Sequence, residues 1–282
     1  MNVNLPFGLQ DGKIIEISAV ENGLACNCIC PCCRKQLIAR KGKIKKHHFD
    51  HFDSKDCNGG VETALGILAL EILEKHKRIV LPSVYLTHSV ELLFGPQAIT
   101  FDKVILERIM SHTIPDIIIF TQNTPLLIEI RTTHSDWFKS NKVIQLGYSA
   151  IEFNTMGLFD FSHHKVFGYQ DFEKRLIEET SYKRWINNNK ENKIKKELKK
   201  LAVGKKIIEL NIMDVVDSCP INKRVWKSGL REGLSYASVH GDCIGCQYGE
   251  VLNNEVLCSG HRKEEFYELL TKFRDKKRKF DP

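Results

Sequence analysis

The sequence predicts an α/β protein, a mixed sheet flanked by helices, with a cysteine-bearing module on each side of it. Three observations carry that expectation. In "GGVETALGILALEILEKHKRIVLP" (59–82) apolar residues recur at helical spacing. Short β-branched runs bounded by turn residues follow it, and helix followed by strands, helix and strand is the pattern of an α/β domain. All ten cysteines fall in two groups, within 26–57 and 219–258, and none lies in 58–218. With 282 residues, 42% of them apolar and 27% charged, the chain can bury a real core as one large domain or two.

The chain divides by composition into 1–57, an N-terminal strand and zinc-binding segment; 58–169, the core; 170–206, a lysine-rich helical connector; and 207–282, a C-terminal zinc module with a terminal helix. The first twenty residues alternate like a strand. In "CPCCRKQLIARKGKIKKHHFDH", two residues separate Cys30 from Cys33, fourteen separate Cys33 from His48, and two separate His48 from His51. Two such pairs joined by a basic hairpin around Gly42 can close a tetrahedron on Zn2+. Cys57 is a fifth candidate, and the favoured set is Cys30, Cys33, His51 and Cys57, with His48 second.

The helix in "GGVETALGILALEILEKHKRIVLP" carries Glu62 in its first turn, where a carboxylate suits the helix dipole. Leu65, Leu68, Ala69, Ile72 and Leu73 form its apolar stripe. The strands that follow are "SVYLTHSVELLF", "AITFDKVILERI", "PDIIIFT" and "LLIEIRTT". Next come a short helix in "SDWFKSNKVIQLGY" and a strand in "SAIEFN".

A turn centred on Gln122 and Asn123 sets Asp116 opposite Glu129 in an antiparallel hairpin. Opposed side chains have Cβ atoms about 5 Å apart, which is repulsive for two carboxylates unless a cation lies between them. A hard divalent ion such as Mg2+ or Mn2+ relieves that repulsion. Arg131 projects from the same face as Glu129.

From Gln170 to Ala202 the chain reads as helical, and "GKKIIELNIMDVV" as one strand. Cys219, the knuckle pair Cys243 and Cys246, and Cys258 then supply four thiolates for a closed structural zinc site, with His261 able to replace one ligand. "HRKEEFYELLTKFRDKKRKF" closes the chain as an amphipathic helix with Phe266, Leu269, Leu270 and Phe273 on its apolar face.

A formal charge of +7, with eight lysines against two glutamates across 187–206, favours an acidic partner, and nucleic acid is the usual one. No apolar run approaches the roughly 20 residues that cross a bilayer, so no membrane partner is expected. The N-terminus lacks the pattern of a secretory signal, and a cytoplasmic protein is expected.

The order "ICPCC…HHFDH", "GGVETALGILALEILEKHKRIVLP", "PDIII", "LLIEIRTTH", "AIEFN" resembles that of the competence protein CoiA-like nucleases, a PD-(D/E)XK family, over residues 25–154. The resemblance implies a restriction-endonuclease-like core, metal-dependent cleavage of DNA and a zinc-binding segment ahead of the core helix. By position Glu62 matches the helix acid, Asp116 the PD acid and Glu129 the second strand acid. His134 matches the histidine of the family's "TH". Gly66 stands where the family has a histidine and Arg131 where it has lysine. Arg131, or Lys139 or Lys142 from the next helix, is then the candidate cation, with Mg2+ or Mn2+ held by Asp116 and Glu129. A homodimer or a larger DNA-processing complex is the expected assembly. Two other readings stand beside this one: a catalytically silent nucleic-acid-binding protein on a nuclease scaffold, and a zinc-containing scaffold in a DNA-processing or phage-defence complex.

Overall fold

The computed structural model describes residues 5–53, 57, 59–86, 91–106, 116–131, 144, 147–155 and 168–275. The chain forms two compact units, one of Met1–Pro82 with Pro96–Asn187 and one of Ser83–Gly95 with Asn188–Asp281. Both mix helices and small sheets.

The first unit opens with a hairpin, β1 (Phe7–Gln10) and β2 (Lys13–Glu16), around Asp11 and Gly12, whose positive φ values of 49° and 81° make the turn favoured between twisted strands. A second hairpin, β3 (Leu37–Arg40) and β4 (His48–His51), encloses the basic loop around Gly42. Helix α1 (Gly60–His76) follows. Leu65, Leu68, Ala69, Ile72 and Leu73 are fully buried, and each large side chain removed from water contributes about 2 kcal/mol. The helix ends where Lys77 turns left-handed (φ 48°) and returns its N–H to the Leu73 carbonyl at 2.9 Å.

After α1 come β5 (Arg78–Leu81), paired with β8 (Gln97–Thr100), and then the central sheet. That sheet holds β9 (Lys103–Leu106), β10 (Ile117–Thr121), β11 (Thr124–Arg131), β12 (Ser149–Asn154) and β13 (Lys183–Asn187), in the order β13-β12-β11-β10-β9. Only β11 and β12 run parallel; the sheet is mixed, as expected. Helix α1 packs against β9 and β11. Helix α2 (Tyr169–Ile177) sets Phe172 edge-on to Phe153 of β12, ring centroids 5.5 Å apart. The helix expected in "SDWFKSNKVIQLGY" lies almost wholly outside the described residues.

The stretch from Gln170 to Ala202, expected to be helical, folds as two helices separated by β13. Tertiary partners override the local propensity there. Beyond its pairing with β12, Lys183 donates to the Val80 carbonyl at 3.0 Å and the Trp185 indole to the Pro82 carbonyl at 3.0 Å.

The second unit contains a short hairpin, β6 (Val84–Tyr85) with β7 (Leu92–Phe94), and α3 (Asn189–Lys199). Asn188 caps α3 by accepting from the amides of Lys190 and Glu191. The single strand expected in "GKKIIELNIMDVV" is three short ones, β14 (Val203–Lys206), β15 (Ile208–Glu209) and β16 (Asp214–Asp217), shared between two sheets. One sheet is β14-β20-β19, with β19 (Gly249–Val251) and β20 (Glu255–Cys258). The other is β15-β16-β18-β17, with β17 (Arg224–Val225) and β18 (Ser235–Ser238). The amphipathic helix expected at the C-terminus is α4 (Lys263–Asp275), with Phe266 and Leu270 buried and Leu269 and Phe273 half-buried.

Candidate functional site

Two constellations stand out in the first unit. The first is a metal-ligand cluster built from three elements. Cys30 and Cys33 share a tight turn in which the Arg34 amide donates to the Cys30 carbonyl at 3.0 Å and the Cys30 amide to the Lys35 carbonyl at 2.7 Å. His51 ends β4, and Cys57 precedes α1. The ligand atoms of Cys30, Cys33, His51 and Cys57 all lie within 4.8 Å of one another. Cys33 Sγ is 3.2 Å from His51 Nε2, and the sulfurs of Cys30 and Cys57 are 3.5 Å apart. Three thiols and one imidazole at this spacing are the donor set of a structural zinc site.

Burial opposes ionisation of Cys33, but hydrogen bonds from the Lys35 amide and from Cys30, His51 and Cys57 outweigh it and bring the thiol down to about 7. Burial, with hydrogen bonding and charge from Cys30, pushes Cys57 up to about 12. His48 lies outside the cluster: its Nδ1 contacts the Lys46 carbonyl at 2.7 Å and its Nε2 is 3.3 Å from Asp50. Residues three apart on a strand face opposite sides, so His48 and His51 cannot serve one ion from β4.

The second constellation lies on β10, β11, β12 and β13. Gln122 and Asn123 both have positive φ, 47° and 69°, so the connection is a two-residue primed turn. It sets Ile117 opposite Ile128 and Thr121 opposite Thr124, the register expected from the sequence. Asp116, one residue before β10, accepts the Ile130 amide at 2.7 Å. Glu129 is only 6% exposed. The parallel register brings Glu152 of β12 beside Glu129, on the same face of the sheet.

Glu152 was not among the sequence candidates. It is 4% exposed and is bound by Arg184 of β13 at 2.9 and 2.7 Å and by Arg131 Nη1 at 3.1 Å. Burial works against its ionisation, but the hydrogen bonds from Arg184 and Arg131 prevail and hold its carboxyl below the usual range. Its signal was present in "SAIEFN", an acid inside an otherwise apolar strand, the same signal that marked Glu129 in "LLIEI".

Residues 15–60 match the family model described as Competence protein CoiA, N-terminal domain. The match places this segment in the CoiA-like family. No curated protein and no solved structure matches the chain. The CoiA-like segment contains all four ligands of the metal cluster and ends as α1 begins. The acids on β10 to β12 lie beyond it.

Glu62 stands half-buried in the first turn of α1. The only group of three or more converging ligand atoms among the described residues is the one in the CoiA-like segment, so Glu62, Asp116 and Glu129 do not meet as closely. Lys139, Lys142 and His134 lie outside the described residues. In the second unit Cys219, Cys243, Cys246 and Cys258 line one small cavity.

Proposed function

We propose that this CoiA-like protein is a metal-dependent nuclease that hydrolyses DNA phosphodiester bonds on a restriction-endonuclease-like, PD-(D/E)XK core. The observation that supports the reading is the hairpin register, which, extended one residue beyond Ile117 and Ile128, sets Asp116 opposite Glu129 next to the apolar runs Ile117–Phe120 and Pro125–Ile128.

Carboxylate oxygens are hard donors and fit Mg2+ or Mn2+. Asp116 and Glu129 would hold that ion, with Glu62 assisting directly or through water. The ion would lower the pKa of a bound water and polarise the phosphate. The chain's own contributions are positional. The Ile130 amide fixes the Asp116 carboxylate, and Glu152 holds the Arg131 guanidinium on the face of Glu129. Arg131 would stabilise negative charge developing on the phosphate, a role its fork of donors suits. The zinc cluster would be structural, and lysines of the second unit would grip the backbone without reading sequence.

One observation favours a second reading, a silent nucleic-acid-binding protein. Arg131 occupies the motif's lysine position, cannot act as a base, and is engaged by Glu152. A cleavage assay separates the two. Supercoiled, linear and single-stranded DNA and RNA are incubated with Mg2+ or Mn2+ at low salt, with Asp116→Asn and Glu129→Gln as controls. The nuclease reading expects DNA cleavage that both substitutions abolish. Binding without wild-type cleavage, or cleavage unchanged in both variants, overturns it.

A further inference from the structure

One cluster of buried residues in the second unit is Val216, Cys219, Ala237, Val239, Cys243 and Val256, so two of the six are thiols. A metal held there would add to what so few apolar side chains contribute.

Four segments bring cysteines to the lining of one small cavity, their sulfurs less tightly grouped than the ligand atoms of the N-terminal cluster. Cys219 follows β16, Cys243 ends the helical turn Val239–Cys243 after β18, Cys246 lies in the next turn, and Cys258 ends β20. All four are free thiols. The Cys246 amide donates to the Cys243 carbonyl at 3.1 Å and the Gly249 amide to the Cys246 carbonyl at 3.0 Å, which folds the Cys-x2-Cys pair into a knuckle. Gly249 pairs with Cys258 across β19 and β20, closing the knuckle onto the fourth cysteine. The backbone of Gly260 hydrogen-bonds the Cys258 sulfur.

Both glycines leave little room for a side chain. A Cβ on Gly249 would sit 3.1 Å from the Cys243 carbonyl oxygen, and one on Gly260 would sit 2.8 Å from the Pro220 ring. The cavity the cysteines line is about 20 Å3, about one water-sized sphere, which suits a single ion and is too small for a multi-iron cluster.

We propose that Cys219, Cys243, Cys246 and Cys258 form a closed four-thiolate zinc site that joins the two sheets of the second unit. Cys219 and Cys243 flank strands of the β15-β16-β18-β17 sheet, and Cys258 belongs to the β14-β20-β19 sheet, so one ion links both. Zn–S bonds of about 2.3 Å draw the sulfurs in around it. Each bond forms as a thiol gives its proton to solvent, with no change of oxidation state. The site is independent of the nuclease reading, since none of its residues belongs to the acid-bearing sheet.

The test is metal content of the purified full-length protein, with zinc release by a mercurial followed colorimetrically. The wild type is expected to release two equivalents, Cys246→Ser one, and Cys246→His two, because imidazole can replace a thiolate. Cys33→Ser/His51→Ala, which disables the N-terminal cluster, is expected to keep one equivalent. Loaded with Co2+, it should show the absorption of a four-sulfur tetrahedral site. Loss of no zinc in Cys246→Ser overturns the proposal, as does iron in place of zinc or a folded Cys33→Ser/His51→Ala variant that holds no metal. Should a variant fail to fold, the wild-type count decides: two equivalents support the site and one overturns it.

Discussion

Lys183 is a cation inside the first unit, 5% exposed, whose ammonium donates to the Val80 carbonyl at 3.0 Å. Burial drives its pKa down from 10.5 to about 7, against the opposing pull of Glu179 and Glu178. The unfolded chain therefore holds more protons than the folded one between about pH 7 and 10.5, and stability rises with pH across that window. Below pH 7 both states are charged, and the burial cost is present in full. At about 1.4 kcal/mol per pH unit, the distance from 10.5 to about 7 corresponds to about 5 kcal/mol. Lys183→Met keeps the apolar stem and removes the charge, but loses the bond to Val80 and leaves that carbonyl unmet, at a cost of about 2 kcal/mol. At pH 6 the variant should be more stable than wild type by about 3 kcal/mol, and by pH 10 less stable by about 1–2 kcal/mol. Urea unfolding of both proteins from pH 6 to 10 measures the difference. A difference that stays flat with pH would refute the reasoning.

Removing zinc from the CoiA-like segment should loosen residues 30–57, seen as faster amide hydrogen exchange there after chelation, with the α1 core retained. Asn123→Val places a β-branched residue at φ 69° and should lower stability by about 1–2 kcal/mol in thermal unfolding, with Asn123→Gly neutral or better. Glu152→Ala leaves Arg131 and Arg184 without their shared carboxylate and should cost about 1–2 kcal/mol, because the Arg184 side chain is 60% exposed; on the proposed nuclease reading it should also reduce cleavage. Because that carboxyl is held below its usual range, its contribution is present above the ordinary carboxylate pKa and fades as acid protonates it, so the difference between wild type and variant should shrink as pH falls. On the proposed nuclease reading, DNA binding measured at 50 and 200 mM salt should weaken steeply, because lysine contacts to phosphate would release counterions. A salt-independent affinity would argue against a backbone grip.

What the sequence disclosed follows from the range of the interactions involved. Helix α1 was legible because its stripe and its early glutamate are local signals, whereas its end at His76 and the strand that follows were not separated from it. The register of β10 and β11 was legible because two turn residues dictate it. The favoured zinc ligands were legible from spacing, and the geometry of β4 explains why His51 belongs to the cluster and His48 does not. The strand β13 was hidden because a lysine-rich run says helix until β12, Val80 and Pro82 are brought against it. The acid in "SAIEFN" was visible, but its role was not, since that depends on Arg131 and Arg184 arriving from neighbouring strands.

Those hidden residues bear on why the acids can stay where they are. On β11 one side, Leu126, Ile128 and Ile130, is buried and apolar, while the other carries Leu127, Glu129 and Arg131. On β12 the same alternation sets Ile151 and Phe153 against Ala150 and Glu152. Leu127 and Ala150 form an apolar patch with Ile118 and Ile186 on the face that also bears the acids. The sheet therefore does not depend on its charged positions for cohesion, and the two arginines on Glu152 offset part of the negative charge beside Glu129. Glu152 is bound by both arginines, and the proposed ion is assigned to Asp116 and Glu129, which is why their substitution, and not that of Glu152 alone, tests the proposed chemistry most directly.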